Sequence, residues 1–330
     1  MDSTFAMLVT VLVVALIFDY INGFHDTANA VATVVSTGVL PLRTAVLMAA
    51  VMNFVGALMG TAVANTMAKM VHADAVTLTM TAAGLGGAIL WNLLTWWFGI
   101  PSSSSHALLG GVLGAAVTHA GVDAVRTDNL QKTLKGLFLS PLAGFVIGLL
   151  MMVLVTWIVR RMRLRTVNRA FRWLQMVSAA FMALSHGQAD AQKTMGIMVM
   201  ALVSAGMLAA DDPMPVWVSL SCALAMALGT AAGGVRIIKT MGTKIIDLKP
   251  IHGFAAETSA AVTLFTAAQL GAPVSTTHVI SAAIMGVGSS QRVSAVRWGV
   301  TTKILWAWVL TIPISALVGA LLYLALSAIA

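Results

Sequence analysis

Apolar stretches close to the length of a bilayer crossing recur from one end of this chain to the other, and few folds can absorb them. They cover residues 5–18, 45–63, 137–159, 195–210, 216–232 and 304–330, and about 20 such residues carry a helix across the hydrocarbon layer. Only 9% of the 330 residues are charged while 59% are hydrophobic, whereas soluble domains carry about 25% charge. The expected class is therefore an all-α integral membrane protein. The first stretch has no basic leader and runs straight into a polar motif, so it reads as a retained span rather than a cleaved signal. Cys222 is the single cysteine and lies in an apolar segment, which excludes an intramolecular disulfide. The net charge of +8 resides in basic residues between the apolar segments. Membrane orientation explains that distribution, and no nucleic-acid partner is needed.

Within this pattern the chain repeats itself. Gly99-Ile100-Pro101-Ser102-Ser103-Ser104-Ser105-His106 is echoed by Gly271-Ala272-Pro273-Val274-Ser275-Thr276-Thr277-His278 at an offset of 172, which also pairs Gly114 with Gly286 and Pro141 with Pro313. Gly23-Phe24-His25-Asp26 matches Gly187-Gln188-Ala189-Asp190 at an offset of 164. Two repeats are expected, over 1–159 and 173–330, joined by a basic cytoplasmic connector over 160–172. Each holds three spans (5–40, 44–66, 133–159; then 173–208, 214–234, 298–330) and a helical hairpin, 77–119 or 254–288, that either re-enters or crosses. An odd number of crossings per half turns the second half over, giving an inverted repeat. Loop charge agrees with both termini outside: thirteen Lys and Arg, including Arg43, Arg160 to Arg172, Arg236 and Arg297, fall on cytoplasmic loops, against Lys69, Arg126, Lys132 and Lys135 outside.

Carboxylates inside such segments cost roughly 2.5–3.5 kcal/mol each on insertion scales, so they need partners or a task. Asp19, Asp26, Asp190 and Glu257 lie within or beside apolar stretches. Asp26 and Asp190 occupy matching places, each three residues after a glycine that can break the helix and free carbonyls as ligands for a small cation such as sodium. A proton could use the same carboxylates, and the plain alternative is that each Asp caps a half-helix. Asn22, Asn29 and Gln192 are candidate further oxygen ligands, although a membrane amide often only bridges neighbouring helices. Lys193, three residues after Asp190, reads as its local ion-pair partner, with Asn29 as the counterpart in the first half.

The hairpin tips carry Ser102, Ser103, Ser104 and Ser105 in one half and Ser275, Thr276 and Thr277 in the other. A proline just before each cluster suits a helix start, whose free N–H groups and positive dipole end favour an anion. Two such starts converging near the membrane midplane, with carboxylates holding cations beside them, describe a site for an oxyanion accompanied by cations. His106 and His278 follow the tips; a ring bonded to a backbone carbonyl is the structural reading, direct ligation or proton transfer the functional one. His25 and Glu257 carry the same pair of readings. No nucleophile, base and orienting carboxylate line up as hydrolysis would require, so an enzyme is not expected.

Taken together, 22–30, 185–193, Pro101 to His106 and Pro273 to His278 resemble the inorganic phosphate transporter (PiT) family, in particular its bacterial low-affinity permeases. The resemblance implies a secondary symporter in the bacterial inner membrane, working by alternating access. It implies hairpin serines and threonines for phosphate, and the Asp26 and Asp190 regions for the coupling ion, sodium at these carboxylates if sodium drives transport, otherwise protons. Phosphate as a complex with a divalent metal, sulfate or another oxyanion as the substrate, an anion channel, a homo-oligomer and a PhoU-like soluble regulator are left open. No cofactor is implied. His25 and Ala189 stand where the family more often has asparagine, which weakens a full sodium site in the second half and favours protons.

Overall fold

The computed structural model describes residues 3–329 and forms them into twelve α-helices. They are α1 (Ser3–Ser36), α2 (Leu42–Ala57), α3 (Ala62–Ala68), α4 (Leu78–Phe98), α5 (Ser104–Ala120), α6 (Thr127–Val159), α7 (Leu164–Ser204), α8 (Val216–Ala232), α9 (Val235–Thr243), α10 (Pro250–Gln269), α11 (Thr276–Ser289) and α12 (Trp298–Ser327). Helices α1, α4, α6 and α12 are each long and apolar enough to cross a membrane, and the α2–α3 and α8–α9 pairs make two more candidates, bent by 71° and 75°. Polarity is distributed for a lipid solvent. Leu139, Leu142, Leu150, Leu317 and Leu321 face outward, while Asp26, Asp190, Lys193 and Glu257 are buried.

The span expected over 44–66 is bent within its length, while α8 fills the span expected over 214–234 and bends at its end into α9. Each bends at a glycine with positive φ, Gly60 at 122° and Gly233 at 71°, a conformation that side-chain-bearing residues rarely adopt. A break inside a membrane exposes backbone groups that lipid cannot satisfy. Helix α7 supplies the partners at the first break: Gln188 Nε2 donates to the Met59 carbonyl at 2.8 Å, and Gln192 Oε1 accepts from Val63 N–H at 2.9 Å. Helix α9 lies in a stretch expected to be loop, and turns Ile237, Ile238 and Met241 inward with Arg236 and Lys239 exposed. Helix α7 starts at Leu164, inside the stretch expected as connector, and takes Arg165, Arg169 and Arg172 into its first turns.

The elements interlock across the two halves. The α4–α5 hairpin packs on α12, and the α10–α11 hairpin packs on α6, while α1 and α2 pack on both α7 and α8. Gly23 and Gly187 do not break their helices as expected, since α1 and α7 run unbroken through both. Their task is close approach. A Cβ on Gly23 would meet the Met226 carbonyl oxygen of α8 at 2.5 Å, and one on Gly187 would overlap the backbone of Asn53 on α2. Small residues let membrane helices cross at such short range, seating α1 on α8 and α7 on α2.

Candidate functional site

Helices α5 and α11 begin at the hairpin tips, and their first turns are built alike. Ser103 caps α5, its Oγ accepting from His106 N–H at 3.1 Å, and Ser275 caps α11 by accepting from His278 N–H at 3.3 Å. These two hydroxyl oxygens are thus taken by their own helices. The N–H groups of Ser104, Ser105, Thr276 and Thr277 belong to first turns and have no intrahelical acceptor. The tips meet: the rings of His106 and His278 lie 4.4 Å apart, and His278 stacks on Trp308 at 3.9 Å. The His106 partner is Ser103 Oγ, 2.7 Å from Nδ1, rather than a backbone carbonyl. His278 Nε2 is buried without a partner.

Both tips reach the same carboxylates. Ser104 Oγ donates to Asp26 Oδ2 at 3.1 Å, Thr277 Oγ1 approaches Asp26 Oδ1 at 3.5 Å, and Thr276 Oγ1 donates to Asp190 Oδ2 at 3.0 Å. Asn29 Nδ2 lies between the two threonines, 3.2 Å from Thr276 Oγ1 and 2.9 Å from Thr277 Oγ1, and its Oδ1 is buried without a partner. Lys193 pairs with Asp190 as its spacing suggests, and also donates to Ser105 Oγ at 2.5 Å and to the Val274 carbonyl at 2.7 Å. His25 Nδ1 lies 2.6 Å from Asp26 Oδ1 and its Nε2 lies 3.1 Å from Thr95 Oγ1. Ser102 is drawn to that side, donating to Thr95 Oγ1 at 2.8 Å.

Three expected members stand apart. Gln192 gives its oxygen to the α3 start, so the break it supports, rather than a cation, occupies it. Asn22 is buried with Oδ1 unpartnered, near Asp19, whose Oδ1 accepts from Thr194 Oγ1 at 2.9 Å. Glu257 sits in a separate cluster, where its carboxylate takes Thr33 Oγ1 at 2.5 Å, Gln175 Nε2 at 3.1 Å and Ser178 Oγ.

His186 was not singled out from the sequence, although its spacing of four residues before Asp190 places both on one face of α7. Asn53 Nδ2 donates to Thr230 Oγ1 at 2.8 Å, so Asn53 Oδ1 is the atom that faces His186 Nδ1 at 3.0 Å. Nδ1 must then carry the hydrogen. Nε2 lies 3.3 Å from Asp190 Oδ2 and is buried without a hydrogen-bond partner. With the ring neutral, a cation lodged beside Nε2 and the Asp190 carboxylate would draw on both. Ligand atoms of Asp26, His186 and Asp190 all lie within 4.8 Å of each other. At an effective dielectric of about 20, two like unit charges roughly 5 Å apart repel by about 3 kcal/mol. An anion entering beside these carboxylates thus needs positive charge beside it.

The chain matches the model of the phosphate transporter family over residues 22–319. It is similar to the probable low-affinity inorganic phosphate transporter of Rhizobium meliloti (strain 1021), at 49% identity over 334 residues and 100% of both chains. It is likewise similar to the protein of that name in Bacillus subtilis (strain 168), at 46% identity over 333 residues and 100% of both chains. Among solved structures, the sodium-dependent phosphate transporter shares the fold, with a TM-score of 0.90 at 24% identity, over 98% of this chain and 100% of the other.

Proposed function

This chain belongs to the phosphate transporter family, and on that premise we propose that it is a secondary symporter carrying inorganic phosphate with a coupling cation across a bacterial inner membrane. The observation that carries the reading is the convergence of both hairpin tips on Asp26 and Asp190. In the structure the tip hydroxyls donate to the carboxylates. A cation takes over the carboxylate oxygens of Asp26 and Asp190, with the His186 ring nitrogen as a further ligand. The hydroxyls of Ser104, Thr276 and Thr277, with the first-turn N–H groups, then turn to phosphate oxygens. Each guest removes the penalty of binding the other, and this coupling is electrostatic.

The sorting of loops onto two opposite sides, which inverted topology requires, draws support from loop contacts. Loops expected outside touch one another, as in the Lys69–Asp211 ion pair at 3.3 Å and the His72 N–H bond to the Ala124 carbonyl at 2.8 Å. Loops expected inside do the same, with Arg172 on the Gly38 carbonyl at 3.2 Å and Arg297 on Asp247 at 2.7 Å. Alternating access follows if each hairpin moves with the helix of the other half on which it packs, α4–α5 with α12 and α10–α11 with α6. The name of the sodium-dependent structural neighbour supports sodium as the coupling ion, whereas His25 and Ala189 favour protons.

The test is uptake of labelled phosphate into proteoliposomes under separately imposed sodium and proton gradients. One gradient should drive uptake, and Asp26→Asn should abolish that coupled uptake while the protein still inserts. Uptake indifferent to both gradients would make the protein a channel, and stronger inhibition by sulfate than by unlabelled phosphate would reassign the substrate.

A further inference from the structure

The two halves neutralise their carboxylates differently. The buried Lys193 ammonium is held by a carboxylate oxygen of Asp190, the Ser105 hydroxyl at 2.5 Å and the Val274 carbonyl at 2.7 Å. Carboxylate, hydroxyl and main-chain carbonyl are the oxygen types that a bare hard cation selects. The repeat offsets map Asp190 onto Asp26, Ser105 onto Thr277 and Lys193 onto Asn29. Around Asp26 the hydroxyl counterpart is present, Thr277 Oγ1 at 3.5 Å, but the residue at the lysine position is a neutral amide whose Oδ1 is buried without a partner. One cage is filled by a positive charge tethered to the chain. Among the described residues the other offers oxygens, the Asn29 amide and the His25 ring, and no ammonium.

On the symport reading above, we propose that Lys193 is a built-in counter-ion that replaces one coupling cation, so that phosphate travels with a single external cation at the Asp26, His186 and Asp190 cluster. Asp190 divides its oxygens accordingly, Oδ1 to the ammonium and Oδ2 toward Thr276 and His186. With Lys193 charged and the His25 and His186 rings neutral, the two carboxylates leave one net negative charge, which one monovalent cation cancels before phosphate enters. Without it, two would be needed.

The experiment measures the steady phosphate accumulation ratio in proteoliposomes against an imposed sodium gradient, and in parallel an imposed proton gradient, with the membrane potential clamped at zero by potassium and valinomycin. For wild type, the ratio should rise with the first power of whichever gradient drives uptake. Lys193→Asn restores the first-half residue and empties the cage, and Lys193→Gln does so with a longer amide. Either should raise the dependence toward the second power and slow uptake at low cation concentration. A second-power dependence in wild type overturns the inference, as does a first-power dependence in a transporting amide variant. Should neither variant insert, the wild-type exponent decides. Absence of any gradient-driven phosphate uptake in wild type sinks the symport reading and this inference together, which distinguishes that failure from a wrong exponent.

Discussion

At the level of single residues, what separates binding groups from scaffolding is where each hydrogen-bonding atom already has a partner. Ser103 and Ser275 spend their oxygens as caps, whereas Ser104 and Thr276 spend their hydrogens on carboxylates that a cation can claim. Ser104→Ala should therefore raise the KM for phosphate by roughly 10- to 100-fold, the equivalent of losing one hydrogen bond to a charged group, about 1.5–3 kcal/mol. Thr10→Ala is the control, since that exposed hydroxyl bonds only the Ala6 carbonyl of its own helix. Equal KM values for the two variants would remove Ser104 from the phosphate site. Glu257 invites a different comparison. A glutamine there can still accept from Thr33 and Gln175 and can donate to Ser178, whose hydroxyl also lies 3.1 Å from the Gln175 carbonyl. Glu257→Gln should unfold in detergent near the wild-type temperature. Glu257→Ala strands several buried polar groups at about 1–3 kcal/mol each and should unfold well below it, as a thermal shift measurement would show.

At the level of elements, the bent pairs α2–α3 and α8–α9 are the main departure from what periodicity and hydropathy predict. Hydropathy registers a continuous apolar run, and it is blind to a positive φ at Gly60 or Gly233. The supporting amides, Gln188 and Gln192, sit more than a hundred residues away in sequence, so no local pattern links them to the break. Gln192→Ala should destabilise the protein by about 1 kcal/mol, the scale of a lost helix cap, and leave the cation concentration for half-maximal uptake unchanged. A marked shift in that concentration would return Gln192 to the cation site. The glycines of the Gly-x-x-Asp motifs were legible as special positions, but their role was not. Freeing a carbonyl and admitting a neighbouring helix both require the missing Cβ, and only the contact with α8 or α2 decides between them.

Over the whole molecule, orientation is open to direct measurement. Substituting the buried Cys222 by Ser gives a background for single cysteines. Asp211→Cys should react with a membrane-impermeant maleimide on intact cells, and Arg163→Cys only once the membrane is opened; the reverse labelling would turn the proposed topology over. From its sequence alone this protein could be read as a multi-pass helical membrane protein of the phosphate transporter family. Apolar run length reports on the solvent a segment must cross, and the paired Gly-x-x-Asp and Pro-Ser/Thr motifs carry the family and most of the residues that the structure gathers at the candidate site. Only the tertiary structure decided that His186 faces the carboxylates, that Gln192 does not, and that Lys193 reaches across to the other half's hairpin. Apart from His186 and Asp190, which share one helix face, these contacts join groups far apart along the chain, and one sequence read residue by residue contains no distance of that kind.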